Sequence, residues 1–408
     1  MPSVGVAIGM DRFRPVFLIV MLWAAGLGAA AQFGKISVGY QALELAYAGH
    51  AGQGVAVMVS IVGIVGLIFG TTAGLVVARI GARRAVLSAL VLGAGVSLLQ
   101  SNLPAYPLMM LARVLEGFSH LAIVVVGPTA IAAAASPARQ GAAMTLWSSF
   151  FGLTYAVLAW VGPGIIAQHG LQGLFQMHGV WMLACALILW HLMPNDVAPP
   201  VITGEAGIFT QHLAIYASPR VSAPAMGFVC YTVTYVAVLT LLPPALSPGS
   251  GQFAAVSMPL ISITVSLTLG VWLLSRITAV RLVQLGFCAT VLATLALWTL
   301  WGQGLYEVGA ALVLAASLGI VQGASFASIP QLNDSVTDRT RAAGAVAQLG
   351  NLGTTTGTPL LVFLMGRAGE TGLAQFLIGF SVLGVVIHAV LARRRLNAEL
   401  ARPQPPNH

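Results

Sequence analysis

Charge is scarce in this sequence: only 7% of its 408 residues are Asp, Glu, Lys or Arg, against about 25% in soluble globular domains. With 58% hydrophobic residues and a mean hydropathy of +0.91, a water-soluble fold is excluded, and the lipid bilayer is the chain's first expected partner. Cysteine is scarce as well. Cys185, Cys230 and Cys288 all fall in apolar runs and share no metal-like or redox spacing, so they read as packing residues and no metal is expected. There is no Gly-Lys-Ser/Thr phosphate loop, no group of clustered carboxylates and no Ser/His/Asp set that falls on one membrane face. Neither an enzyme nor a cofactor is expected. The formal charge of +8 does not point to nucleic acid, because the basic residues are scattered between hydrophobic runs rather than gathered on one face.

What the chain does have is apolar runs of about 20 residues, the length a helix needs to cross the hydrocarbon core. An outer-membrane barrel would show alternating segments of about ten residues instead. The expected fold class is an all-α membrane protein. Many of the 46 glycines sit inside the runs, such as Gly63, Gly66, Gly70 and Gly74, or Gly350, Gly353 and Gly357, which suits close helix approach in lipid. A short lead, 1–14, precedes a first span at 15–33, too long for a cleaved signal peptide and followed by many others. Further spans are expected near 53–78, 85–101, 106–135, 143–167 and 174–193. The polar, Pro-rich segment 194–222 is the one long interruption, and six more spans follow near 223–245, 253–275, 282–302, 306–333, 342–365 and 371–391. Four regions result: an N-terminal six-helix bundle (1–193), a central cytoplasmic loop (194–222), a C-terminal six-helix bundle (223–391) and a cytoplasmic tail (392–408).

With a cytoplasmic N-terminus, fifteen arginines fall in inside segments, while outside segments hold only Lys35 and Arg367. Such an asymmetry places both termini inside. The two halves also resemble each other. Arg79 and Arg84, after the second span, are echoed 197 residues on by Arg276 and Arg281, and Pro128 with Arg139 is echoed 202 residues on by Pro330 with Arg341. Together the echoes indicate a duplicated six-helix unit in parallel repeat.

The fourth span carries two full charges, Arg113 and Glu116. Each costs roughly 2.5 to 3.5 kcal/mol near a bilayer centre, so such residues usually pair, face a bundle interior or line a watery path. Spacings of three and four put Arg113, Glu116 and His120 on one helix face. Along the sixth span, Met177, His178, Met182 and Cys185 are soft ligands suited to copper, which keeps copper import open as one reading.

Twelve spans in a 6+6 repeat resemble the major facilitator superfamily over nearly the whole chain. Gly74-Leu75-Val76-Val77-Ala78-Arg79-Ile80-Gly81-Ala82-Arg83-Arg84 is similar to that family's Gly-x-x-x-Asp-Arg-x-Gly-Arg-Arg loop, although Ala78 replaces the acid and Ala82 the first of the paired basic residues. The resemblance implies a cytoplasmic gating loop of Gly74, Arg79, Gly81, Arg83 and Arg84. Arg113 to Gly117 is similar to the family's Arg-x-x-x-Gly helix, and Gly162-Pro163 partially matches a Gly-Pro element of drug antiporters. Pro128, Gly162 and Pro163 are expected to bend their helices.

By that resemblance the first, fourth, seventh and tenth spans line a central cavity whose polar residues include Gln32, Arg113, Glu116, His120, Tyr231, Tyr235 and Gln322. The implied function is alternating-access transport of a small-molecule solute, proton-coupled through Glu116, with Arg113 attracting an anionic group. Glu116→Gln is then expected to abolish gradient-driven uptake in a folded protein. Besides copper import, the alternatives are proton-driven efflux of drugs or lipophilic cations and a non-transporting membrane receptor or assembly factor. A monomer in a bacterial cytoplasmic (inner) membrane is expected.

Overall fold

A computed structural model of the chain describes residues 4–136, 139–196 and 208–400. Among these residues the regular structure is helical throughout. The middle of the expected central loop and the end of the tail, Arg402 included, lie outside the described residues.

The first helix, α1 (Val4–Val38), is longer at both ends than the expected span and takes in Lys35. A short α2 (Tyr40–Ala46) follows. The second span is three short helices, α3 (Gln53–Ser60), α4 (Gly63–Phe69) and α5 (Ala73–Ile80), rather than one rod. Next come α6 (Ala82–Gln100) and α7 (Tyr106–Ala134), which has Pro107 in its first turn, where the missing N–H of proline costs nothing. A short α8 (Gln140–Ser148) leads into α9 (Phe150–Leu192), a 43-residue helical run that turns at Gly170, where φ is 67°. At 1.5 Å per residue such a run is about 65 Å long, twice the hydrocarbon thickness, and supplies both the fifth and the sixth span.

Within the expected central loop lies α10 (Ile208–Ala217), and α11 (Ala223–Ala245) coincides with the expected seventh span. The eighth is built from α12 (Gly251–Val265), a π-helical turn at Ser266–Gly270 and α13 (Val271–Leu274). Then α14 (Ala279–Thr299) and α15 (Leu305–Leu332) precede α16 (Val336–Leu400), a 65-residue run that turns at Ala368 and Gly369 and holds the last two spans. Nine described helices are long and apolar enough to cross a membrane. Counting α9 and α16 twice and the broken second span once gives twelve.

The chain divides into two compact units, Met1–Ile202 with Ala255–Leu260, and Thr203–Ala254 with Ile261–His408. In the first, α1, α6, α7 and α9 meet around an apolar core that includes Leu22, Leu90, Val126, Met182 and Leu189. In the second, α11 packs on α16, and α14 packs on α15 and α16. Large apolar side chains such as Trp160, Leu187 and Leu292 point outward, the arrangement lipid tails stabilise.

Candidate functional site

The four core helices of the first unit enclose a cluster of charge. Lys35 of α1, Arg113 and Glu116 of α7, and His178 of α9 are all buried, the first three with no accessible surface. Lys35 Nζ lies 2.5 Å from Glu116 Oε1, and Arg113 pairs with Glu116 Oε2. From α6, Gln100 Nε2 donates to Glu116 Oε2 at 3.0 Å, while Gln100 Oε1 accepts from Lys35 at 2.8 Å. A single carboxylate therefore faces two cations. Burial makes that arrangement costly unless the partners are closely hydrogen-bonded, and here each oxygen of Glu116 has a charged donor.

Each guanidinium nitrogen of Arg113 has an acceptor. Its Nε donates to Met58 O (2.9 Å) and one terminal nitrogen to Val59 O (3.3 Å). Helix α3 ends at Ser60, so these carbonyls lack the N–H groups that a continuing helix would supply one turn on, and the guanidinium fork takes their place. Gly117 completes the joint, since a Cβ there would lie 2.5 Å from Val62 O. The spacing of Arg113 and Gly117 is the footprint of a break in the second span.

Lys35 has more acceptors than protons. Besides Glu116 and Gln100 it meets Ser97 Oγ at 2.9 Å and His178 Nδ1 at 3.2 Å. His178 Nε2 lies 2.9 Å from Gly28 O, a carbonyl that can only accept, so Nε2 carries a hydrogen and the neutral ring leaves Nδ1 bare. Ser97 donates to Phe175 O at 2.8 Å.

Sequence reasoning places Lys35 in an outer loop. The structure corrects this: the residue is in α1, sealed inside the bundle. The missed signal is compositional, because Lys35 is the single lysine in a chain with seventeen arginines.

The other expected site residues are dispersed. His120 is half-buried, with Nδ1 3.0 Å from Ala29 O and its ring edge-on to Phe33. Gln32 Nε2 donates to Ser119 Oγ at 2.9 Å, while its buried Oε1 has no partner among the described residues. In the second unit, Phe228, Tyr231 and Tyr235 stack successively along α11 with ring centroids 5.3 and 5.0 Å apart, and the Tyr231 hydroxyl is without a partner among the described residues. Gln322 is half-buried on α15. Pro128 and Pro163 both lie within their helical runs, and Gly162 gives room to Val38. For copper, the sixth span loses its histidine: both ring nitrogens of His178 are engaged, and Met177 is 39% exposed while Met182 and Cys185 are in the apolar core.

In the expected gating loop, Gly74 and Arg79 are exposed and Gly81 has φ of 94°. Asp196, just past α9, accepts from the backbone N–H groups of Arg83 (2.8 Å) and Arg84 (3.1 Å), closing the start of α6. The Arg83 side chain donates to Trp190 O at 2.7 Å and lies over the Trp190 ring.

Residues 18–358 match the family description Major Facilitator Superfamily. This chain belongs to the major facilitator superfamily. Solved structures of similar fold include a bacterial homologue of the human lysosomal transporter Spinster, inward-facing and unoccupied, with a TM-score of 0.73 at 14% identity over 97% of this chain and 99% of that one. A D-xylose-proton symporter gives 0.73 at 15% identity over 92% and 97%, and the inward-open xylose transporter XylE from E. coli gives 0.72 at 14% over 93% and 96%. At these identities the likeness concerns the fold. No curated protein matches the sequence significantly. As a major facilitator, the chain is a multi-pass membrane transporter and not an enzyme.

Proposed function

We propose that this major facilitator is a proton-coupled secondary transporter of a small organic anion, working by alternating access between its two six-helix units. The buried cluster carries the reading. Arg113 and Glu116 neutralise each other, and Lys35 adds one positive charge that nothing fully buried beside it cancels. A structural pair has no need of the extra cation, whereas a carrier that loads an anion gains from it, because opposite charges attract strongly where water is excluded. The arginine asymmetry supports cytoplasmic termini, and the proposed location is a bacterial inner membrane.

The test uses purified protein in liposomes with short organic anions, D-xylose, lipophilic cations and copper, each assayed with and without an imposed pH gradient. Accumulation of an organic anion that depends on the gradient is expected. Accumulation indifferent to the gradient removes proton coupling, and movement of lipophilic cations alone turns the reading to efflux.

A further inference from the structure

We infer that Lys35 is the seat of the coupled proton and that His178 relays it, while Glu116 stays ionised. This assignment rests on the proton-coupled reading above. It differs from the expectation drawn from the fourth span alone, which gives that role to Glu116.

Three observations lead to it. The first is the set of contacts at Glu116. A carboxylate that accepts from Lys35, Arg113 and Gln100 has every one of these partners stabilising its anionic form. The second is chemical type. Arginine keeps its proton in proteins, and all basic side chains of this chain except Lys35 and the histidines are arginines. The single lysine of the sequence stands where the uncompensated charge is.

The third is the arrangement of protons. Lys35 faces Glu116 and Arg113 of α7, Ser97 and Gln100 of α6, and His178 of α9, with the Phe175 ring centroid 5.1 Å away. Three ammonium hydrogens meet four acceptors, so one contact is always short of a proton. His178 Nδ1 also lies 2.9 Å from Ser97 Oγ. Ser97 has one hydrogen for two acceptors, Phe175 O and the bare Nδ1, so a second contact in the cluster is short of a proton. A proton passing from Lys35 Nζ to His178 Nδ1 breaks one N–H bond and forms another, and Nδ1 then donates to Ser97. The total charge is unchanged by the transfer. Release of the proton from His178 to water in an opened state leaves Lys35 as a neutral amine and the cluster without net charge, which favours return of the unloaded carrier.

Because the chain has one lysine, the whole protein labelled with [13Cε]lysine in nanodiscs gives one lysine resonance, whatever the solute. Across the physiological pH range the resonance should pass between its ammonium and amine positions, and His178→Gln should shift the midpoint. In liposomes, Lys35→Arg should reduce accumulation of the wild-type solute to the level seen without a pH gradient. A resonance that stays at the ammonium position overturns the assignment, as does a Lys35→Arg protein that still accumulates solute under the gradient. Failure of the wild type to accumulate any solute overturns the proton-coupled reading first and the assignment with it.

Discussion

Gly117 of α7 lies against the backbone carbonyl of Val62, in the gap between α3 and α4. In the second unit Gly319 of α15, 202 residues later, lies against the carbonyl of Ser262, one turn before the π-helical segment of α12 and α13. The same offset separates Pro128 from Pro330. Each unit thus seats an irregular helix on a glycine of its fourth helix, and the duplication visible in the arginine loops extends to a packing joint. The charge is not duplicated. The positions equivalent to Arg113 and Glu116 are Ala315 and Leu318, so among the described residues only the first unit has a buried ionic cluster at this joint.

Gly117→Ala and Gly319→Ala should each destabilise the protein by about 1–3 kcal/mol, because the carbonyl that a methyl would strike belongs to backbone and cannot swing aside. Gly74→Ala is the control: a Cβ there meets nothing within 4 Å, and its melting temperature should stay at or above the wild-type value. Equal melting of all three variants would disprove the joint.

Removing the carboxylate of Glu116 strands two buried cations. Glu116→Gln should therefore lower stability by about 3–5 kcal/mol, contrary to the simpler expectation of a folded but uncoupled protein. In Lys35→Met/Glu116→Gln one of the two stranded charges is gone, and part of the loss should return. Thermal melts of the wild type, both single variants and the double variant give the coupling energy; strictly additive effects would show that the two side chains do not depend on each other.

Asp196 closes the start of α6 from outside the helix, accepting from the N–H groups of Arg83 and Arg84. Asp196→Ala should cost about 1 kcal/mol, as loss of an N-terminal cap does, and Asp196→Asn about half of that, since one side-chain oxygen can still accept. Hydrogen exchange at Arg83 and Arg84 reports directly on the cap. Unchanged protection in Asp196→Ala would rule out this role.

How far the sequence discloses this site depends on what each residue's partners are. Arg113 and Glu116 stand out because full charges in an apolar run are rare, and three-residue spacing already puts them together. Lys35 escapes notice because a basic residue just beyond an apolar run of ordinary length looks like a loop charge, and only the extension of α1 to Val38 brings it inside. The break after Ser60 is equally hidden. The run 53–78 contains no proline, and the partners that hold it open are backbone carbonyls, which every residue has. The turns at Gly170 and Gly369 fall between expected spans, yet positive φ at a glycine lets the helical runs resume almost at once instead of passing through a loop. The twelve spans are legible because 20-residue apolar runs follow directly from bilayer thickness.

Arg113→Lys tests whether the arginine of the fourth span is a joint or merely a charge. Lysine keeps the positive charge beside Glu116 but has a single nitrogen, whereas the guanidinium reaches Met58 O, Val59 O and Glu116 at once. The variant should lose about 1.5–3 kcal/mol, the range for hydrogen bonds to a charged group, and hydrogen exchange should quicken in α3 and α4. Solute accumulation per folded molecule should fall less than in Lys35→Arg, because Lys35 remains in place. Wild-type melting and exchange in Arg113→Lys would mean that charge alone matters there, and that the break in the second span is held by other contacts.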